Sequence, residues 1–332
     1  MTTRVIAIVP RRIAARKVPI TLWAGLLYVL SCEVLLFSDV RSSQRGALHS
    51  DEAIEAFQRS HEPTTMFGQA GRFVAVNMTP LVWPGYVLFL EGVLVLQTGT
   101  SPVRRRPNHF AILCLGSIVI WCVFDWVNFY YIGAWKYIGM PIDNPWHRYW
   151  GYTFAFAAVV PGMLMSGQMF MNFGWFDRAQ SAAWRLPRWV KWLVLAAGAM
   201  MFVLPLALRN PKGNLTLWTS LVFLLDPINL KLGRPSALRD WQRGWYGRTL
   251  AAFAGGLLCG LLWEFWNYWA LAKWVYHLPF LGTAEHLKFF EMPVIGLLGF
   301  IPFGLECWVM WQTLRTPFDG LAEPLPGERT LL

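Results

Sequence analysis

Charge is scarce in this chain: only 14% of its 332 residues are Asp, Glu, Lys or Arg, where a soluble domain carries about 25%. Cysteine is scarcer still. The five thiols (Cys32, Cys114, Cys122, Cys259, Cys307) all fall in apolar runs and include no Cys-x-x-Cys pair, which excludes a disulfide framework and a zinc site and leaves small thiols in helix packing. A glycine-rich nucleotide fingerprint and a histidine-rich box are also missing, so flavin, nicotinamide and metal-dependent oxidoreduction are disfavoured and no cofactor is expected. What fills the chain is apolar: 55% hydrophobic and 16% aromatic residues. That content excludes a disordered chain and an ordinary cytosolic enzyme. Several runs reach the roughly 20 apolar residues that a bilayer crossing requires, so the expected class is an all-α, polytopic integral membrane protein.

Eight apolar stretches read as helices, over 19–37, 80–97, 109–132, 150–171, 189–208, 215–230, 249–272 and 290–313. The sixth is the shortest. With a cytoplasmic basic N-terminus (residues 1–18), 18 Lys and Arg fall on the inner side and 10 on the outer, leaving Lys191 at a helix end; the excess inside places both termini in the cytoplasm. This basic surplus is a topology signal that attracts anionic lipid, and nucleic acid is not needed to explain it. The expected location is the inner (plasma) membrane of a bacterium. Val29-Leu30-Ser31-Cys32 loosely matches a lipoprotein cleavage site, but the chain runs on as Glu33-Val34-Leu35-Leu36-Phe37, which favours a retained first helix. In the outer loop 38–79, Ser50 followed by Asp51 and Glu52 predicts the N-cap of a short helix that either covers an entrance or clips the structure together.

The chain also resembles itself. Trp83 and Glu91 match Trp218 and Asp226. Asp125-x-x-Asn128 followed by Trp135-x-Tyr137 matches Glu264-x-x-Asn267 followed by Trp274-x-Tyr276, with identical internal spacing, and Pro141 and Pro161 match Pro279 and Pro302. This order predicts two parallel four-helix repeats, residues 19–172 (with the loop 38–79) and 189–313, followed by a cytoplasmic tail, 314–332. Sites in duplicated membrane proteins tend to lie between the repeats.

Ionisable groups are costly inside a bilayer, so the candidate catalytic residues are Glu264, Asn267, Glu291, Asp125 and Asn128. The i,i+3 spacing puts each acid and amide on one helix face, where the amide is expected to bond the carboxylate or a shared ligand. Glu291 is expected to open the eighth helix from the outer side, and Glu306 to lie deeper within it. The first repeat has Trp150 and Met165 at the matching positions, which points to a scaffold half and a working half. Either these pairs glue helices together, or a desolvated carboxyl serves as a general acid. Trp274, Tyr276, Trp266 and Trp135, with Glu306, are the candidate substrate contacts. Their rings form either an interfacial aromatic belt or a π-lined cavity that stabilises a carbocation. Gly296, Gly299 and Gly304 permit close approach of a helix or a ligand. His147, His277 and His286 are not spaced as metal ligands and read as solvated loop residues.

The run Trp263-Glu264-Phe265-Trp266-Asn267-Tyr268, then Trp274-Val275-Tyr276, then Glu291-Met292-Pro293 resembles the lycopene cyclase domain of bacterial and archaeal carotenoid synthesis. The likeness covers about half the chain. In that family Glu-Glu follows the proline, whereas here Val294-Ile295-Gly296 follows Pro293. The resemblance implies metal-free, redox-neutral protonation of a polyene end group, with Glu264 the residue carried over. Three functions are therefore expected to compete: a membrane enzyme acting on an isoprenoid or similar lipid by cyclase-, isomerase- or hydratase-type chemistry, a proton-coupled transporter or lipid carrier, and a non-catalytic subunit or assembly factor.

Overall fold

The computed structural model describes residues 17–38, 42–141, 143–209, 214–318 and 330–332. The basic segment 1–16, most of the tail 314–332, and Arg41 and Lys212 of the outer charge count lie outside the described residues. The helices are α1 (Ile20–Ser38), α2 (Asp51–Ser60), α3 (Met66–Val76), α4 (Met78–Thr98), α5 (Pro102–Arg105), α6 (Pro107–Val127), α7 (Pro145–Asn172), α8 (Arg188–Leu208), α9 (Asn214–Lys231), α10 (Ala237–Gln242), α11 (Gly247–Trp269), α12 (Val294–Leu297) and α13 (Phe300–Leu314). Four short strands accompany them, β1 (Trp135–Ile138), β2 (Lys273–Tyr276), β3 (Lys288–Phe289) and β4 (Met292–Pro293).

Among the described residues, seven helical segments are long and apolar enough to cross a membrane: α1, α4, α6 with the π-helical turn that extends it to Ile132, α7, α8, α11, and the continuous stretch from α12 through α13. The fold is thus all-α and of membrane-spanning type. The sixth expected span forms α9, 18 residues long, but Asp226 and Pro227 interrupt its apolar run and it falls outside that group. The seventh ends at Trp269 and the eighth begins at Val294, because the residues between them form β2, a 3-10 helix over Pro279–His286 and the β3–β4 hairpin.

Helix packing follows the same order in the two halves. In the first, α4 packs on α1 and α7, and α6 on α7; in the second, α9 packs on α8 and α13, and α11 on α13. The halves meet chiefly along α7 and α11. Small residues allow close approach at the crossings: a Cβ on Gly304 would strike the Ala252 carbonyl, and one on Gly255 would meet the backbone of Gly167 and Met163. At the end of the bundle away from the ribbon, Glu91 accepts from Ser101 Oγ (2.9 Å) and Arg104 Nε (2.6 Å). At the matching place Asp226 accepts from Ser236 Oγ (2.9 Å) and the amides of Ala237 and Leu238. Each acid thereby fixes the turn ten residues further along the chain.

At the other end, Ser50 caps α2 as expected, its Oγ accepting from Ala53 N, and the buried Ile54 and Phe57 hold that helix to the core. The Gly139 amide donates to Asp51 Oδ1 at 2.7 Å, so α2 is clipped to the turn after β1. The same loop contains α3, capped by Thr65, which lacked the acidic first turn that marked α2. The five cysteines carry no disulfide, and Cys122 is exposed on the helix surface.

Candidate functional site

The two Trp-x-Tyr motifs form β1 and β2, which pair antiparallel with each other: Trp135 lies opposite Tyr276, and Tyr137 opposite Trp274. Because side chains alternate along a strand, one face of this ribbon presents all four rings together. They line a cavity of about 360 Å³ between the halves, closed by Trp121 and Phe124 of α6, Trp218 of α9, Trp263 of α11, and Gly299, Phe300 and Phe303. That volume falls in the range of about 300–1,000 Å³ typical of small-molecule sites. Trp121 and Trp263 meet at 4.9 Å between ring centroids and form part of a partition, behind which lies a second space of about 70 Å³.

Asn128 and Asn267 hold the ribbon. Asn267 Nδ2 donates to the Trp274 carbonyl at 2.8 Å, and its Oδ1 accepts from the Trp274 amide at 3.0 Å. Asn128 does the same for Trp135, with distances of 2.7 Å and 3.2 Å, and also accepts from Ala134 N. The expectation that the amides bond the carboxylates is therefore corrected. The helix end and strand start are joined by a turn of fixed length, and the amide reaches the orphaned strand backbone before it can reach the acid one turn back.

The acids instead accept from the tyrosines. Tyr276 Oη donates to Glu264 Oε1 at 2.8 Å and accepts from Trp274 Nε1 at 2.8 Å. Tyr137 Oη donates to both oxygens of Asp125, at 3.0 and 3.2 Å, and accepts from Trp121 Nε1 at 3.3 Å. Asp125 also accepts from Trp135 Nε1 at 3.2 Å. The two dyads differ in one respect. Both Asp125 oxygens are bonded, whereas Glu264 is fully buried and its Oε2 has no hydrogen-bond partner among the described residues. Burial, reinforced by the neighbouring carboxyl, pushes both phenols well above their ordinary range, so both stay protonated and act as donors.

Glu291 does not open a helix. It sits in the β3–β4 turn beside Phe290, whose φ of 57° marks the left-handed backbone of that turn. Its Oε1 pairs with Lys273 Nζ at 2.5 Å, and both side chains are fully buried. Lys273 was counted as an outer-loop charge, but it also donates to the Arg45 carbonyl at 3.2 Å, and burial lowers its pKa despite the pull of Glu291. Trp266 points away from the cavity: its Nε1 donates to Glu33 Oε1 at 3.1 Å and its ring packs edge-on to Trp83. Glu306 is fully buried in α13 with neither oxygen hydrogen-bonded among the described residues, and it is not part of the cavity wall. His147 contacts Asn77 Oδ1 at 2.5 Å and His277 lies 3.5 Å from Glu285; the described residues contain no His, Cys, Asp and Glu group able to hold a metal.

Sequence reading thus named Trp135, Trp274, Tyr276, Asp125 and Glu264, which do come together. Trp218 and Tyr137 stood there only as matches between the repeats and Trp263 only as part of the family-like run, although Tyr137 is Tyr276's counterpart and all three line the cavity. The identical Trp-x-Tyr spacing was the available signal. Comparison of the chain with protein-family models, with curated proteins and with solved structures returns no match.

Proposed function

We propose that this chain is a membrane-embedded enzyme that takes the end group of an isoprenoid or similar polyunsaturated lipid into the aromatic cavity and rearranges it by cofactor-free acid–base chemistry. One observation carries this reading: two tyrosines, each bonded through its hydroxyl to its own buried carboxyl, line a single cavity walled by tryptophan. Tyr276 and Glu264 are the proton source. The phenol proton moves to a carbon–carbon double bond, whose π pair forms the new C–H bond, while the phenol oxygen takes the proton of Glu264. The cation left on the adjacent carbon lies against indole faces, an interaction worth about 2 kcal/mol or more when desolvated. After a neighbouring double bond closes a ring, or the double bond shifts, the Tyr137–Asp125 dyad takes a proton back. Electrons and protons balance, and no oxidant is required. Two environments that set otherwise similar carboxyls apart are the usual basis of acid and base assignments. Asp125, with both oxygens bonded, suits the role of base, and Glu264, with one oxygen unbonded, suits that of acid.

In this reading the two halves are parallel duplicates whose shared cavity lies between them, and both termini face the cytoplasm. The likeness to the lycopene cyclase domain supports a polyene as substrate, and the Tyr–acid dyads take the place of the acid pair that would follow Pro293. Asn267 is a positioning residue: it fixes β2 and hence Tyr276. Expression in a lycopene-producing host tests the substrate directly. The wild-type chain is expected to convert the pigment, and Glu264→Gln and Tyr276→Phe to leave it unconverted. An unchanged pigment profile with well-folded wild-type protein overturns this substrate.

A further inference from the structure

A proton given up by Glu264 has to be replaced, and Glu264 has no exposure to water. Around it stand Tyr276 and Trp274 from β2, and Glu291 with the Met292 backbone from the second hairpin. Met292, next to Glu291 in its turn, lines the same cavity as Tyr276, whose hydroxyl donates to Glu264. Each acid has one oxygen engaged, Glu264 by Tyr276 and Glu291 by Lys273. Each leaves Oε2 without a hydrogen bond among the described residues. Glu291 Oε2 lies 3.4 Å from Nδ1 of His49, whose side chain is 55% exposed. An exposed imidazole, a buried carboxylate and a second buried acid therefore stand in sequence from the surface to the cavity. Among the described residues, Asp125 has no such arrangement beside it. Ala134 occupies the place of Lys273 before the matching tryptophan, and both oxygens of Asp125 are bonded.

We propose that His49 and Glu291 form the proton entry route to Glu264, with Lys273 holding Glu291 between deliveries; this rests on the reading of Glu264 as the acid. In each cycle the His49 N–H bond breaks and an O–H bond forms on Glu291 Oε2. That O–H bond then breaks as one forms on Glu264 Oε2, and imidazole is reprotonated from water. Nothing is oxidised or reduced. Lys273 contributes through geometry: its ammonium bonds Glu291 Oε1 and the Arg45 carbonyl, which leaves the other Glu291 oxygen turned toward His49. The cavity thereby draws protons from the end of the bundle that carries α2 and the ribbon.

The test needs no substrate. Infrared difference spectra of the purified full chain in detergent are recorded after transfer to heavy water, and the carboxylic acid band of Glu264 is assigned by its loss in Glu264→Gln. In His49→Gln, deuterium is expected to reach that carboxyl about a hundredfold more slowly, the lower end of what one positioned proton-transfer group supplies, and added imidazole is expected to restore the rate. The paired variant Lys273→Met with Glu291→Gln removes both buried charges together. It should show the same slowing without rescue by imidazole. A wild-type exchange rate in His49→Gln, or no Glu264 acid band at all, overturns the route. An unchanged pigment profile in the lycopene-producing host bears on the substrate alone and leaves this outcome separate.

Discussion

At the scale of single residues, the carboxyl–tyrosine bond decides what each acid can do, and the asparagines decide where the tyrosines stand. Removing Asn267 as alanine unpairs the Trp274 amide and carbonyl, buried groups that cost about 1–3 kcal/mol each when left unsatisfied. Asn267→Ala is therefore expected to lower the thermal unfolding midpoint in detergent, and Asn128→Ala to do the same through Trp135. An unchanged midpoint in both would show that the ribbon does not depend on them. Lys273→Met leaves Glu291 buried without its cation, a defect of about 3–5 kcal/mol, whereas removing both charges of such a pair is often nearly neutral. Lys273→Met alone should therefore unfold at clearly lower temperature than Lys273→Met with Glu291→Gln; equal midpoints would contradict the buried pair. Lysine in a loop after a span reads as a surface charge. Only the tertiary meeting of β2 with the second hairpin reveals that this one is buried, so no sequence signal could have distinguished it from Lys288.

Among the elements, the spans were legible because hydropathy reports them directly, and their ends differ from expectation where polar or proline-bearing segments leave the helix. The Ser50 cap and the acidic first turn revealed α2; α3, without acids at its start, gave no such signal. The asparagine role was hidden for a different reason. Spacing shows that acid and amide share a helix face, but the strand that claims the amide returns only in three dimensions. At the opposite end, the short α10 is tied to α11 by Asp240 and Arg248, 2.7 Å apart. Burial above all pushes the Asp240 carboxyl up to about 6 from its ordinary 3.8, against the pull of Arg248. A carboxyl raised in the folded state binds a proton that the unfolded chain has released, so its contribution to stability falls as pH rises from about 4 to about 6 and then stays level. The difference in midpoint between wild type and Asp240→Asn should accordingly move in favour of the wild type as pH drops from 7 to 5. Movement in the other direction would mean that Arg248 outweighs burial. Gly299 provides a test of the cavity wall. Its φ of −66° is open to any residue, and an added Cβ would meet only the Gly296 carbonyl, at 3.0 Å. Once the Gly296 carbonyl gives by the few tenths of an ångström that this Cβ needs, Gly299→Phe is expected to abolish pigment conversion by filling the cavity; a folded variant that converts at the wild-type level would place the substrate elsewhere.

Across the whole molecule, the two Trp-x-Tyr motifs that match in the sequence lie against each other strand to strand. The recurrence of Glu91–Ser101 and Asp226–Ser236, each pair ten residues apart, extends the likeness to the far end of the bundle. The cavity itself was not legible, because its wall is assembled from helices and strands that lie far apart along the chain. The difference between the two dyads is chemical: among the described residues, the buried Lys273–Glu291 pair and His49 stand on the side of Glu264 and not of Asp125. In the proposed reaction this asymmetry is what assigns the donor's role to Glu264 and not to Asp125. The most direct measurement supplies the purified protein with a polyene lipid in heavy water and determines deuterium in the product by mass spectrometry. The wild type is predicted to place a solvent deuteron on a carbon of the end group, and Glu264→Gln to place none; folded wild-type protein that binds the polyene and returns it free of deuterium contradicts acid–base catalysis at this site.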